Sequence, residues 1–252
     1  MTELTWKDSG INTVAKMKGK KVGNWLFGNE FELFAALSRA GMDPAHNKGV
    51  TIVKQPFDMN LFMKRQIDAA SAMTYNELAQ VLETKNPATG KLYTLKDLNV
   101  FKYSDVGTGM LQDGIFVKGD WIKNKANQAT AIKFLGASFA GWIWCRDHYK
   151  ECVNIVLQQG TALGRGHQTW QMNEVNKLIW PSKRGIGIMD PAAFALTSAI
   201  SLKYGVIKKK PAPGAYVTTY AKAALAGLKS AGYDVYGKNY KPALVTLKEG
   251  GK

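Results

Sequence analysis

From Gly19 onward, short apolar runs alternate with segments whose apolar residues recur at helical spacing, a pattern that predicts parallel-sheet α/β units. The run Ser9 to Gly23 reads as a helical turn, a short loop and the start of the first strand, Lys21 to Phe27. Asn29 to Ala40 then reads as a helix with Phe31, Phe34, Ala35 and Leu37 on its apolar face and Gly41 closing it. Thr51 to Gln55 is the next strand, Asp58 caps a helix through Arg65, Ala69 to Met73 is a short buried strand and Asn76 to Glu83 a helix. Thr84 to Lys96 is polar and turn-rich, and Leu98 to Tyr103 and Gly114 to Val117 read as two further strands.

Beyond Asp120 the texture changes to helix after helix. The pattern predicts helices over Ala126 to Asp147, Tyr149 to Gln159 and Gln168 to Ile179, then Pro191 to Tyr204 behind an Asp190 cap with proline at the first helical position, and Tyr220 to Ala231 ending at Gly232. A Lys/Pro/Gly linker spans Lys208 to Gly214, and there is no internal repeat. The composition shift near Gly114 divides the chain into 1–113 and 114–252. This second part is a physical difficulty, because amphipathic helices with a single strand need a sheet to cover and it supplies almost none.

Composition narrows the picture further. At 252 residues, with 46% hydrophobic and 21% charged, the chain can bury a sizeable core. No stretch approaches the ~20 apolar residues of a membrane span; the longest candidate, Ala129 to Cys145, is broken by Lys133, Ser138 and two glycines. Met1 to Asp8 has no apolar core segment and does not read as a secretory signal, so the chain is either cytosolic or shown without one. Cys145 and Cys152 lie seven apart in helical sequence, which sets them two turns and about 10 Å from each other, so two free thiols are expected. With His46, His148 and His167 scattered, no metal site is expected. The net charge of +15 permits weak binding to anionic surfaces, but a specific nucleic-acid partner is not expected from lysines beside structural turns.

Three places carry candidate chemistry. Trp25-Leu26-Phe27-Gly28-Asn29 lies where a strand meets a helix amino terminus, the position at which α/β sheets bind ligands, and alternation places Trp25 and Phe27 on one face. Both rings fit a core as well as a site, and Asn29 fits an N-cap as well as a ligand contact. Tyr75-Asn76-Glu77 also follows a buried strand; Tyr75 offers a ring for stacking, and Asn76 and Glu77 offer groups that pair with the amino and ring nitrogens of a heterocycle. A helix start would look similar. His167, Trp170 and Glu174 share one helical face, beside Asn173 and Lys177, and fit either a site wall or, preferably, a helix packed on a neighbouring lobe. No nucleophile–base pair, phosphate loop or dinucleotide glycine motif occurs, and neither catalytic residues nor a cofactor are expected.

Ser9-Gly10-Ile11 with Gly19-Lys20-Lys21-Val22-Gly23, Gln66-Ile67-Asp68-Ala69, Tyr75-Asn76-Glu77, Asp113-Gly114-Ile115-Phe116-Val117, Asn173 through Pro181, and Val245 through Gly251 resemble, in order, the substrate-binding proteins of ABC importers for thiamine pyrimidine precursors and riboflavin. The resemblance implies an α/β fold of the periplasmic-binding-protein type II kind. One α/β lobe with the segment leading into it would occupy 1–113. A return crossover strand and the mainly helical carboxyl-terminal part of the other lobe would occupy 114–252. In such proteins the phrase at Ser9 opens the second lobe, so the chain looks like one that starts in the middle, with the first lobe's opening strands elsewhere.

The resemblance further implies a small heteroaromatic ligand held between lobes by Trp25, Phe27, Asn29, Tyr75, Asn76 and Glu77. It implies ABC permease subunits as partners, a periplasmic or cell-surface location and no catalysis. A complete protein of this kind would be a monomer, while an uncovered helical face would self-associate. A relative of the same fold makes the thiamine pyrimidine with a cysteine-rich iron-binding motif, and nothing similar surrounds Cys145 or Cys152. That enzyme and a basic nucleic-acid-associated protein are the alternatives.

Overall fold

A computed structural model describes residues 1–252. Its first part is a five-stranded sheet of β1 (Thr2–Trp6), β2 (Lys21–Asn24), β3 (Thr51–Lys54), β4 (Ala69–Ala72) and β5 (Leu98–Lys102), in the order β3-β2-β4-β1-β5. Strands β2, β3 and β4 run parallel, while β1 lies antiparallel between β4 and β5, pairing Leu4 with Ala70 and with Val100. The helices α1 (Phe31–Arg39), α2 (Asn60–Met63) and α3 (Glu77–Leu82) form the crossovers.

Period-two alternation sorts the two faces of this sheet. Leu4, Trp6, Ala70 and Ala72 face Phe62, Leu78, Val81 and Leu82 in one core, whereas Val22 and Ala69 face Leu33, Ala36 and Leu37 of α1 in the other. The short side chains of β4 let layers close on both sides of it, and all four of its residues are buried. Trp6 stacks on Phe62 with ring centroids 4.7 Å apart and donates its Nε1 to the Phe62 carbonyl at 3.2 Å. Gly23 is required where it stands, since a Cβ there would come within 2.6 Å of the Gln55 Oε1 and Ile67 Cδ1 atoms.

Strand β1 escapes a reading by alternation, because Thr2, Glu3 and Thr5 are as buried as Leu4 and Trp6. Glu3 is accommodated by hydrogen bonds from the Ser71 and Tyr103 hydroxyls, each 2.8 Å, and burial pushes its carboxyl up to about 8. Conversely, Gly114 to Val117 forms no strand. The segment has no neighbour to pair with, and Ile115, Phe116 and Val117 are exposed. The chain leaves the sheet through an irregular link in which Glu32 accepts from the Met110 amide at 2.5 Å and from Gln112 Nε2 at 3.0 Å.

The second part contains α4 (Lys125–Asp147), α5 (Tyr149–Gln159), α6 (Arg165–Ile179), α7 (Pro191–Lys203) and α8 (Thr219–Ser230), and no strand. Helices α4 and α8 pack around Phe139, Ile143, Ala224 and Leu225, with Trp180 closing that core. The Asp190 carboxylate caps α7 by accepting from the Ala192 and Ala193 amides, with Pro191 in the first turn.

The cysteines correct the sequence expectation. The helix breaks at His148 (φ −129°, ψ 49°), so α5 turns back toward α4 and brings the Cα atoms of Cys145 and Cys152 to 5.3 Å, where they form a disulfide. A continuous helix would have kept them apart.

The two parts touch at α1 against α7, where Ser38 Oγ and Tyr204 OH lie 2.8 Å apart, and at α3 against α6. The carboxyl-terminal tail adds a strap. The Ala243 amide donates to Asn173 Oδ1 on α6, and Glu249 pairs with Lys85 at 2.6 Å beyond α3.

Candidate ligand-binding site

The parallel strands β2, β3 and β4 point their carboxyl ends to one edge of the sheet, where loops emerge and helices begin. At the end of β2, Asn24 Nδ2 donates to Ser71 Oγ at 2.9 Å and its Oδ1 accepts from the Leu26 amide at 2.7 Å. The chain then takes two consecutive left-handed residues, Leu26 (φ 65°) and Phe27 (φ 56°). Such backbone is uncommon for side chains of this size, and it cancels the alternation expected there.

Strand β2 therefore ends at Asn24 rather than Phe27, and Trp25 and Phe27 do not share a face. Trp25 turns inward, 5% exposed, with its indole N–H buried and unpartnered, whereas Phe27 is 84% exposed beneath the Lys54 ammonium, 4.4 Å from the ring centroid. Asn29 is exposed and is not the cap of α1; that position belongs to Glu30, whose carboxylate turns back to the Gly28 amide at 2.8 Å. No side chain caps the first amides of α1.

At the end of β4, Tyr75, Asn76 and Glu77 are brought together. Tyr75 and Asn76 are half-buried and Glu77 is buried. The Glu77 carboxylate accepts from the Met73 amide at 2.9 Å and from Asn76 Nδ2 at 3.0 Å. Burial raises this carboxyl above its usual range, against the opposing hydrogen bonds from Met73, Glu77 and Asn76 and the charge of His167. Burial, with the charges of Asp113 and Glu77, raises the Tyr75 hydroxyl as well. The link from the sheet to the helices thus passes within electrostatic reach of Tyr75.

Helix α6 reaches the same place from the other part of the molecule. The Nδ1 atom of His167 lies 3.0 Å from the Glu83 carboxylate and its Nε2 atom 3.0 Å from Asn76 Oδ1. One turn on, Trp170 Nε1 donates to the Thr74 carbonyl at 2.8 Å. Glu174 is turned to Lys177 on its own helix and Asn173 to the tail, so neither joins the cluster.

The spacing of His167 and Trp170 was legible in the sequence, but their partners were not, since contacts across about ninety residues leave no periodic signal. Ser71, Glu3 and Tyr103, which tie the end of β2 to β1, give no signal either. No group of three or more His, Cys, Asp or Glu side chains is placed to hold a metal ion. This edge of the sheet thus presents the Tyr75 ring, the Asn76 amide, the buried Glu77 carboxyl and the first amides of α1 without a side-chain cap.

Among solved structures the chain is similar to the periplasmic aliphatic sulphonate binding protein SsuA from Escherichia coli. The TM-score is 0.57 at 16% identity, over 98% of this chain and 67% of that one. The likeness establishes the fold as the periplasmic-binding-protein type II kind. No curated protein sequence matches the chain. No helix is long and apolar enough to cross a membrane. Residues 2–152, which hold the whole sheet and the Tyr75-Asn76-Glu77 cluster, match the NMT1/THI5-like family, and the chain belongs to that family.

Proposed function

We propose that the chain is the solute-binding component of an ABC importer and holds a flat heteroaromatic compound, a thiamine pyrimidine precursor or a riboflavin-like ring, for delivery to a permease. The observation that carries the reading is the buried Glu77 carboxyl beside the half-buried Tyr75 ring at the carboxyl end of β4. A ligand amino group donating to that carboxyl replaces the water lost on burial, and the ring of the ligand stacks on Tyr75. Trp25 and its unpartnered indole N–H, Phe27 and Asn29 belong to the same sheet edge and form the rest of the proposed site.

The fold shared with a binding protein supports a role without catalysis. The disulfide supports a periplasmic or cell-surface location, because such bonds persist where thiols are not kept reduced. Riboflavin and a 4-aminopyrimidine are the probes that test the reading, followed by tryptophan fluorescence. Both Tyr75→Ala and Glu77→Gln are expected to weaken binding, the first by about 5- to 150-fold, the loss of one stacked ring. Failure of both probes to bind, or binding of an aliphatic sulphonate that Tyr75→Ala leaves unchanged, would overturn it.

A further inference from the structure

Helix α6 holds the chain on both sides of Tyr75 and leaves the ring between them. Trp170 takes the carbonyl of Thr74, and His167 takes the side-chain carbonyl of Asn76. Asn76 has a job of its own, since its amide nitrogen donates to Glu77. An unrestrained Asn76 amide can rotate and present its oxygen to the Glu77 carboxylate, an arrangement with two acceptors face to face. The contact of His167 Nε2 with that oxygen at 3.0 Å, backed by a longer bond from Gln80 Nε2 at 3.5 Å, opposes this rotation. His167 is in turn fixed by Glu83, whose backbone carbonyl accepts from the Gly250 amide of the tail at 3.0 Å.

We infer that His167 is a positioning residue of the ligand site, acting from the helical part through Asn76 to orient Glu77 and, with Trp170, to set the Tyr75 segment. This inference rests on the reading of Tyr75, Asn76 and Glu77 as ligand contacts. It adds that the site on the sheet is completed only when α6 is docked. A ligand that needs Glu77 as an acceptor is then bound tightly only in the docked arrangement, which links binding to the relative placement of the two parts.

Two isosteric halves of the imidazole separate positioning from simple packing. Glutamine reaches as far as Nε2 and keeps a donor for Asn76, whereas asparagine reaches only as far as Nδ1 and keeps a donor for Glu83. Amide hydrogen exchange at Met73 and Leu78, whose amides donate to Glu77 and to the Met73 carbonyl, reports the order of the segment without any ligand. Relative to wild type, His167→Ala and His167→Asn are expected to exchange there about tenfold faster, the equivalent of one hydrogen bond lost, while His167→Gln stays close to wild type. The β2 and α6 amides should be unchanged in all three variants. Riboflavin affinity is expected to fall in the same order.

Any other order among the variants, including equal behaviour of the glutamine and asparagine forms, makes His167 only a joint between helices and overturns the inference. If the wild-type chain binds neither riboflavin nor the aminopyrimidine, the proposed ligand class fails, and the exchange order still decides the role of His167.

Discussion

The sheet part and the helical part are built from segments of similar local quality, yet they differ in what they bury. In the first, both faces of β4 are covered, and cores of 11 and 10 buried residues lie on either side. In the second, the cores hold 8 and 3 residues, and α4, 23 residues long, buries only Phe139 and Ile143. Phe134, Trp142 and Trp144 of α4 stay exposed, and α7 buries only Ile200 and Ser201, although Ala, Leu, Ile and Phe dominate its sequence.

Charge follows the same division: residues 1–113 carry 14 basic and 12 acidic side chains, whereas 114–252 carry 20 and 7. A helix forms from local pattern and caps, but its apolar face contributes stability only when another layer lies against it. Like charge adds repulsion to that deficit. The proposed ligand site sits on the part that is fully packed and borrows only α6 from the other.

The largest test of this contrast is Phe62→Ala. Phe62 is fully buried against Trp6, and its removal should cost about 3–5 kcal/mol in the unfolding of the sheet part. Amide exchange of α4 and α8 should be little changed if the two parts unfold separately; parallel loss in both would break the comparison. Next comes pH. The Glu3 carboxyl stands at about 8 in the folded chain against 4.5 as its ordinary value, so the folded state holds the proton that the unfolded state has released. Its contribution is present below pH 4.5 and stability falls as pH rises from there to 8, by at most about 1.4 kcal/mol per unit. Urea midpoints at pH 5 and pH 8 should show that slope in wild type and a flatter one in Glu3→Gln.

Reduction of the Cys145–Cys152 bond, or its replacement by serines, should cost about 2–3 kcal/mol and loosen only the α4–α5 corner. Exchange in β2 and β4 should not respond. The smallest effect is expected from Asn124→Ala, which removes the side chain that accepts from the Ala126 amide at the start of α4, about 1 kcal/mol by thermal unfolding. Within the helical part that is a larger fraction of what holds it. A hydrophobic dye bound by the native chain, and lost after mutation of Phe134 and Trp142 to serine, would sharpen the contrast from the surface side.

Much of this architecture is legible in the sequence, and the misses have physical causes. Helix α1 announces itself by the spacing of its apolar residues and by Gly41 behind it, α7 by the Asp190 cap and Pro191 at its start, and β3 by its β-branched run. Strand β1 is hidden because a central antiparallel strand is buried on both faces, so its polar residues are inside with hydrogen bonds instead of outside in water. Ile115-Phe116-Val117 has strand-like residues and no partner.

Trp25 and Phe27 part company because tertiary contacts at Asn24 hold the next residues left-handed, which no alternation rule anticipates. The cysteines meet because the helix breaks at His148. For the site, the residue types at Tyr75, Asn76 and Glu77 were readable. The grip of His167 and Trp170 on them was not, because it is set by the docking of α6 on α3.

The most direct test of the central claim, that ligand is held at the carboxyl edge of the sheet, is backbone amide chemical-shift mapping during titration with the aminopyrimidine. The account predicts the largest shifts at residues 24–30 and 73–78, with smaller ones at 110–113 and at the start of α6. Shifts confined to α4, α5, α7 and α8, or absent at saturating ligand, would contradict it.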